Sequence, residues 1–203
     1  MLADYGAGNL RSVASAFQRA GAEVAISADP EAVREAPLAV IAGVGFLDHL
    51  LTLFAFHGKL DLDLLAGGDV EVDEHHTVED VMAALGDAFE AALAGREGLV
   101  RYGTATIPMD EARGFASVDL VKRPHAEIAL QFTGDRVGGL ALSLLPHALE
   151  RFAMQARCTV HVEASGADDH HVAEAAIKAL GRALGEACAR TGSGEVSSTK
   201  GEA

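Results

Sequence analysis

Apolar positions along the chain fall into helical stripes separated by short alternating runs. Val78, Met82, Leu85, Phe89 and Leu93 recur at i, i+4, i+7, i+11 and i+15, the spacing of one buried face on a long helix that opens near His75. Residues 46–56 have the same helical character, and residues 60–65 alternate Asp with Leu as a half-buried strand. Gly67-Gly68-Asp69 turns the chain after that strand. Beyond the break at residues 95–98, the pattern predicts strands over 116–121 and 127–132 and a helix over 140–154. An alternating strand over 159–164 and a second long helix over 170–188 complete it. The order is α-β-α, then β-β-α-β-α, so the last three elements repeat the first three. The predicted fold is α+β, built from two ββαβα halves of which the first lacks its leading ββ.

Residues 1–45 have a different rhythm. Strands over 1–5, 22–27 and 38–44 alternate with helices over 9–20, where Asn9 is the N-cap, and 29–36, where Asp29 caps and Pro30 takes the first helical position. This β-α-β-α-β pattern favours a parallel sheet. Strand 38–44 is the one apolar strand available to cover the edge that the missing pair leaves open.

Composition narrows the class. The chain has 203 residues with 49% hydrophobic, enough to supply a core. With 16 basic against 30 acidic side chains and a net charge of −14, nonspecific attraction to nucleic acid or to an anionic membrane is excluded. The two cysteines, Cys158 and Cys188, have no C-x-x-C spacing and read as buried thiols in a reducing compartment. No basic segment precedes an apolar run, and no run reaches membrane-span length, so the chain reads as soluble and cytoplasmic.

The candidate chemistry lies on the repeat. His75-His76-Thr77-Val78-Glu79 and His170-His171-Val172-Ala173-Glu174 are two copies of His-His-x-x-Glu, and an upstream His accompanies each, His49 and His147. On a helix, i and i+4 share a face, so each copy aims imidazole and carboxylate at one point. That donor set suits Mn, Fe, Co, Ni or Zn and argues against an all-oxygen Ca or Mg cage. Single histidines are usually surface or satisfied core groups, and His57, His125 and His161 fall outside the duplication.

Asp4-Tyr5-Gly6-Ala7-Gly8-Asn9-Leu10-Arg11-Ser12-Val13 and Gly43-Val44-Gly45 resemble the opening of the glutamine amidotransferase subunit of imidazole glycerol phosphate synthase. That activity needs a nucleophilic Cys in a glycine-flanked elbow, which neither Cys158 nor Cys188 occupies, so no amidotransferase function is implied.

A second resemblance covers residue 45 to the end. Gly45-Phe46-Leu47-Asp48-His49, both His-His-x-x-Glu copies, Pro108-Met109-Asp110-Glu111-Ala112, Lys178 and Ser197-Ser198-Thr199-Lys200-Gly201 together resemble imidazoleglycerol-phosphate dehydratase. The resemblance implies a hydro-lyase of histidine biosynthesis that converts imidazole glycerol phosphate to imidazole acetol phosphate through an imidazolate held by two Mn ions. It implies helices sandwiched between two sheets and a twenty-four-subunit octahedral homo-oligomer, built from trimers, with metal sites shared between subunits. It makes His49, His75, His76, Glu79, His147, His170, His171 and Glu174 the metal ligands. Lys178, Glu174 and Glu79 become catalytic groups, and His57, Arg101, Arg123, Lys178, Ser198, Thr199 and Lys200 become contacts to substrate or its phosphate. The domains expected are 1–45, amidotransferase-like; 46–98 and 99–190, the two dehydratase repeats; and 191–203, a phosphate-binding tail.

Two departures qualify this. Residues 1–45 lack the Thr-Lys-Glu-Thr-type motif, with its substrate-contacting Glu, that opens family members, and Pro146 replaces the acidic residue before His147. The expectation is a dehydratase impaired by the missing strands; the alternative is a catalytically inactive metal-binding fusion product of two histidine-pathway genes.

Overall fold

A computed structural model of the chain describes residues 2–3, 26–27, 39–68, 70–93 and 96–192. Three short strands come first, β1 (Leu2–Ala3), β2 (Ile26–Ser27) and β3 (Ala39–Ile41). Helix α1 (Gly45–Gly58), strand β4 (Asp63–Leu65) and helix α2 (Glu74–Leu93) complete the first half. The second half contains β5 (Tyr102–Met109), β6 (Ala112–Asp119), β7 (His125–Leu130), the small hairpin β8 (Arg136–Val137) and β9 (Leu140–Ala141), helix α3 (Leu144–Gln155), β10 (Thr159–Ser165) and helix α4 (Asp169–Ala187).

The main sheet has the order β5-β6-β10-β7, antiparallel except for the β10–β7 pair. β10 lies inside it, with Val162 opposite Ala116 of β6 and Ile128 of β7. One face of the sheet is covered by α4 and α3. Gly103 and Gly114 make the α4 contact possible, because a Cβ on either would collide with the carbonyls of Ala183 and Ala175. Small side chains recur where α4 meets α1: a Cβ on Gly181 would lie 2.6 Å from the Phe54 carbonyl oxygen, and one on Gly58 3.1 Å from that of Gly181. These close approaches set the spacing between the helices that carry the histidines.

The core between the helices is aromatic and aliphatic. Phe152 of α3 is fully buried and meets Phe54 of α1 and Phe89 of α2 edge-on, with ring centroids 5.7 and 5.6 Å away. The helical stripe Val78, Met82, Leu85, Phe89 and Leu93 is buried throughout, as its spacing predicts. Arg96, just after α2, is buried and donates to the carbonyls of Ala156 and Arg157 at 2.7 and 3.0 Å, satisfying the end of α3 while pairing with Glu90.

Several sequence expectations are corrected. Three strands of the main sheet, not two, precede α3, with the β8–β9 hairpin after them: β5 alternates weakly and pairs with β6 across the Asp110-Glu111 turn. Residues 140–141 belong to the β8–β9 hairpin, so α3 begins at Leu144 rather than 140. The strand predicted over 60–65 is confined to Asp63–Leu65. β3 pairs in parallel with β4, Val40 opposite Leu64, as β7 does with β10. The first half is therefore β3-α1-β4-α2, matching β7-α3-β10-α4, and the described residues hold no first-half counterpart of the β5–β6 hairpin. Pro146 lies in the first turn of α3, where its missing N–H has no helical partner to lose. β1 and β2 pair in parallel. The helices expected over 9–20 and 29–36, the Gly6-Ala7-Gly8 turn and the tail holding Ser198, Thr199 and Lys200 lie outside the described residues.

Candidate metal centres

Each histidine helix is started by the same device. Asp73 accepts the backbone N–H of His75 at 3.0 Å, and Asp168 that of His170 at 2.8 Å. Asp169 accepts the N–H groups of Thr133 and Gly134 at 2.8 and 2.7 Å, and these bonds draw its pKa down and tie α4 to the end of β7. The repeat is thus Asp-x-His-His-x-x-Glu, and the cap two residues before the first His is a sequence signal that the ligand pattern alone misses.

The first centre joins His49 of α1 to His170 and Glu174 of α4. Glu174 Oε1 lies 2.6 Å from His49 Nε2 and 3.0 Å from His170 Nε2, while Lys178 Nζ donates to Oε2 at 2.5 Å. Burial pushes the Glu174 carboxyl upward, yet the bonds from Lys178, His49 and His170 outweigh it and hold the pKa at about 2. The second centre joins His75 and Glu79 of α2 to His147 of α3, with Glu79 Oε2 3.9 and 3.6 Å from the two Nε2 atoms. Arg151 Nε stands 3.0 Å from Glu79 Oε1, an ion pair off the line of a good hydrogen bond. In each centre the three donor atoms lie within 4.8 Å of one another. Two imidazoles and an anionic carboxylate at that spacing form a partial shell for a divalent ion.

The upstream histidines are exchanged between the copies. Sequence order groups His49 with His75-His76 and His147 with His170-His171, but in space His49 serves the second copy and His147 the first. The cause is the packing of α1 on α4 and of α2 on α3. His76 and His171 join neither centre. His171 Nδ1 is 2.9 Å from Glu111 Oε2, with Asp110 Oδ2 3.9 Å from its Nε2. The Glu111 bond raises the His171 pKa, and the same bond, with that from the Asp168 N–H, lowers Glu111 to about 2.

The expected phosphate contacts lie elsewhere. Arg101 binds Asp119 through Nε at 2.7 Å and Nη2 at 3.0 Å, and its guanidinium covers Tyr102 at 4.7 Å from the ring centroid. Arg123 follows β6, and its carbonyl accepts the Thr159 hydroxyl at 2.9 Å. Both sit at the end of the sheet opposite the Asp110-Glu111 turn, and the seven steps along β5 separate Arg101 from that turn by about 23 Å. His57 stands in the α1–α4 groove, where burial and then the charges of Lys178 and Arg182 lower its pKa. Neither thiol is a nucleophile, since burial lifts Cys158 to about 12 and Cys188 to about 11.

The profile of one family, imidazoleglycerol-phosphate dehydratase, matches residues 42–184, a span that holds every residue of both centres. The chain belongs to the imidazoleglycerol-phosphate dehydratase family. It is 50% identical over 163 residues to an imidazoleglycerol-phosphate dehydratase from Roseiflexus sp., covering 78% of this chain and 81% of that one. With the enzyme of Phaffia rhodozyma it shares 47% over 160 residues, 78% of each chain. The solved dehydratase from Staphylococcus aureus superposes with a TM-score of 0.72 at 36% identity, covering 77% of this chain and 89% of that one. That from Pyrococcus furiosus gives 0.67 at 36%, covering 79% and 87%. The duplicated dehydratase fold agrees with these neighbours, and none of the described helices is long and apolar enough to cross a membrane.

Proposed function

We propose that this chain catalyses the family's reaction, the hydro-lyase step of histidine biosynthesis that removes water from imidazole glycerol phosphate, using Mn at the two centres. The observation that carries this is the convergence of two imidazoles and one carboxylate, twice, on helices of a dehydratase fold. His49, His170 and Glu174 hold one ion, His75, Glu79 and His147 the other, and His76 and His171 complete the ligand sets of neighbouring subunits. Ions held there would supply Lewis-acid stabilisation of the charge that develops on the substrate.

The chain's own groups handle the proton traffic. A carbon-bound proton must leave the glycerol chain, and the departing hydroxyl must receive a proton to go as water. Lys178 is assigned this work, a reading supported by its ammonium lying 2.5 Å from Glu174 and largely buried. Glu174 and Glu79, the carboxylate of each centre, are the candidate carboxylates for the same traffic. Arg101 and Arg123, with Ser198, Thr199 and Lys200, bind the phosphate dianion.

Separation along β5 supports a site built from more than one subunit. Arg101 is too far from the His171 end of its own chain for one small substrate to touch both. A homo-oligomer, in the family an octahedral shell of twenty-four, brings one subunit's arginines to another's metal centres. Residues 1–45 are read as amidotransferase-like on the motif from Asp4 to Val13, 46–98 and 99–190 as the repeats and 191–203 as the tail. A cytoplasmic location follows from a soluble biosynthetic role.

The test is subunit complementation. His171→Ala and Arg101→Ala should each abolish water loss with added Mn, and mixing the two after dissociation should restore part of it. No recovery from reassembled mixtures would refute the shared site, and no activity in the parent chain would favour the alternative of an inactive metal-binding fusion product.

A further inference from the structure

The structure assigns Glu111, in the β5–β6 turn, a positioning role: it fixes the ring of His171, while His76, the equivalent ligand of the first half, has no such support among the described residues. Glu111 accepts twice, from the Asp168 backbone N–H at 2.9 Å through Oε1 and from His171 at 2.9 Å through Oε2. An ionised carboxylate can only accept, so His171 Nδ1 carries the proton and Nε2 presents its lone pair outward. A ligand imidazole whose other nitrogen is held by a carboxylate keeps one tautomer and one ring orientation before any ion arrives. Anchoring Asp168 with the other oxygen sets Glu111 against the cap of the helix that carries His171.

The first half lacks this support because the hairpin that carries Glu111 has no first-half counterpart among the described residues. Among the described residues His76 has no hydrogen bond or ion pair, and its ring lies 6.0 Å from that of His75 between centroids. Among the described residues, two ligands that the repeat makes equivalent are therefore unequal, one held by a carboxylate and one not. The inference rests on the reading of His76 and His171 as metal ligands.

Four full-length proteins test it: the parent, Glu111→Ala, Glu111→Gln and His171→Ala. Imidazole ¹⁵N spectra of the metal-free proteins, taken at about pH 8 and so above the ordinary imidazole range, report the tautomer without any ion present. The parent should show His171 as the Nδ1–H form and His76 as a mixture. Glu111→Ala should convert His171 to a mixture and leave His76 unchanged, whereas Glu111→Gln, whose single amide oxygen is taken by the Asp168 N–H, turns its NH2 donor toward Nδ1 and should shift His171 to the Nε2–H form. Competition with a chelator should then show Mn held about 10–100-fold more weakly in Glu111→Ala, with no recovery in Glu111→Gln, because its NH2 leaves the proton on the ligating nitrogen. If His171→Ala loses metal while Glu111→Ala keeps parent tautomer and affinity, the positioning role is wrong and the ligand reading stands. If His171→Ala binds Mn as the parent does, the ligand reading fails and takes the proposal with it.

Discussion

His49 and Glu174 sit 125 positions apart in the chain, yet His49 Nε2 and Glu174 Oε1 are 2.6 Å apart. The contact crosses from the first half of the fold to the second, and the His147–Glu79 pair crosses back at 3.6 Å. Each metal centre therefore depends on both halves. His49→Ala and His170→Ala should deplete the same bound ion, and combining them should remove no second one, whereas His49→Ala with His75→Ala should deplete both. Metal analysis after reloading and gel filtration decides this; loss of only one ion in the His49/His75 double variant would restore the grouping by sequence order.

Glu174 neutralises Lys178 in a part of the molecule where the carboxylate is 8% and the ammonium side chain 13% exposed. Truncating one partner leaves an uncompensated charge, so Glu174→Ala in the metal-free protein should cost about 3 kcal/mol. Glu174→Ala with Lys178→Met should recover much of it, because no charge is then stranded. Urea denaturation supplies the numbers, and a double variant less stable than Glu174→Ala would contradict the pairing.

How much of this was legible in the sequence depends on the range over which each signal acts. The helices were legible because Val78, Met82, Leu85, Phe89 and Leu93 mark one face, and six of the site histidines because they repeat. The exchange of His49 and His147 was not legible, since it is decided by helix packing and not by spacing. Strand β5 escaped because its inward face opens on the small Gly103 and Ala105 and gains large apolar side chains only at Ile107 and Met109, so its alternation is weak. Asp110 and Glu111 belong to a motif quoted for family resemblance, but the role of Glu111 needs the turn that sets it beside His171.

Gly103 and Gly114 set the depth at which α4 lies on the sheet, and α4 carries one centre's His170 and Glu174. Gly114→Ala should force the helix away from β6 at a cost of about 2–3 kcal/mol and weaken metal binding at the His49–His170–Glu174 centre more than at the other. Gly139, with nothing near an added Cβ, is the control and should tolerate Ala with little change. Equal stability of the two variants in urea would show that α4 is free to shift.

The last expectation concerns turnover. Aligning His75 with His170 and Glu79 with Glu174 sets Ala84, Ala88 and Ala92 of α2 against Ala179, Ala183 and Ala187 of α4. The α4 residues are fully buried, on the helix that β5 and β6 pack against, whereas Ala84 and Ala88 are half-buried and Ala92 is exposed. Among the described residues, helix α2 thus keeps the small residues that suit a covering hairpin without one, and β4 pairs only with β3. A strand edge and a helix face with no hairpin over them among the described residues invite irregular association in place of one closed assembly. The substrate-contacting Glu of the usual opening motif is missing from residues 1–45 as well. We expect heterogeneous particles by light scattering and a kcat at least ~10-fold below that of an intact family member, a barrier difference of about 1.4 kcal/mol, while both metal centres still fill. A homogeneous shell of the 203-residue chain turning over at the intact rate would show that residues 1–45 replace the hairpin in both structure and chemistry.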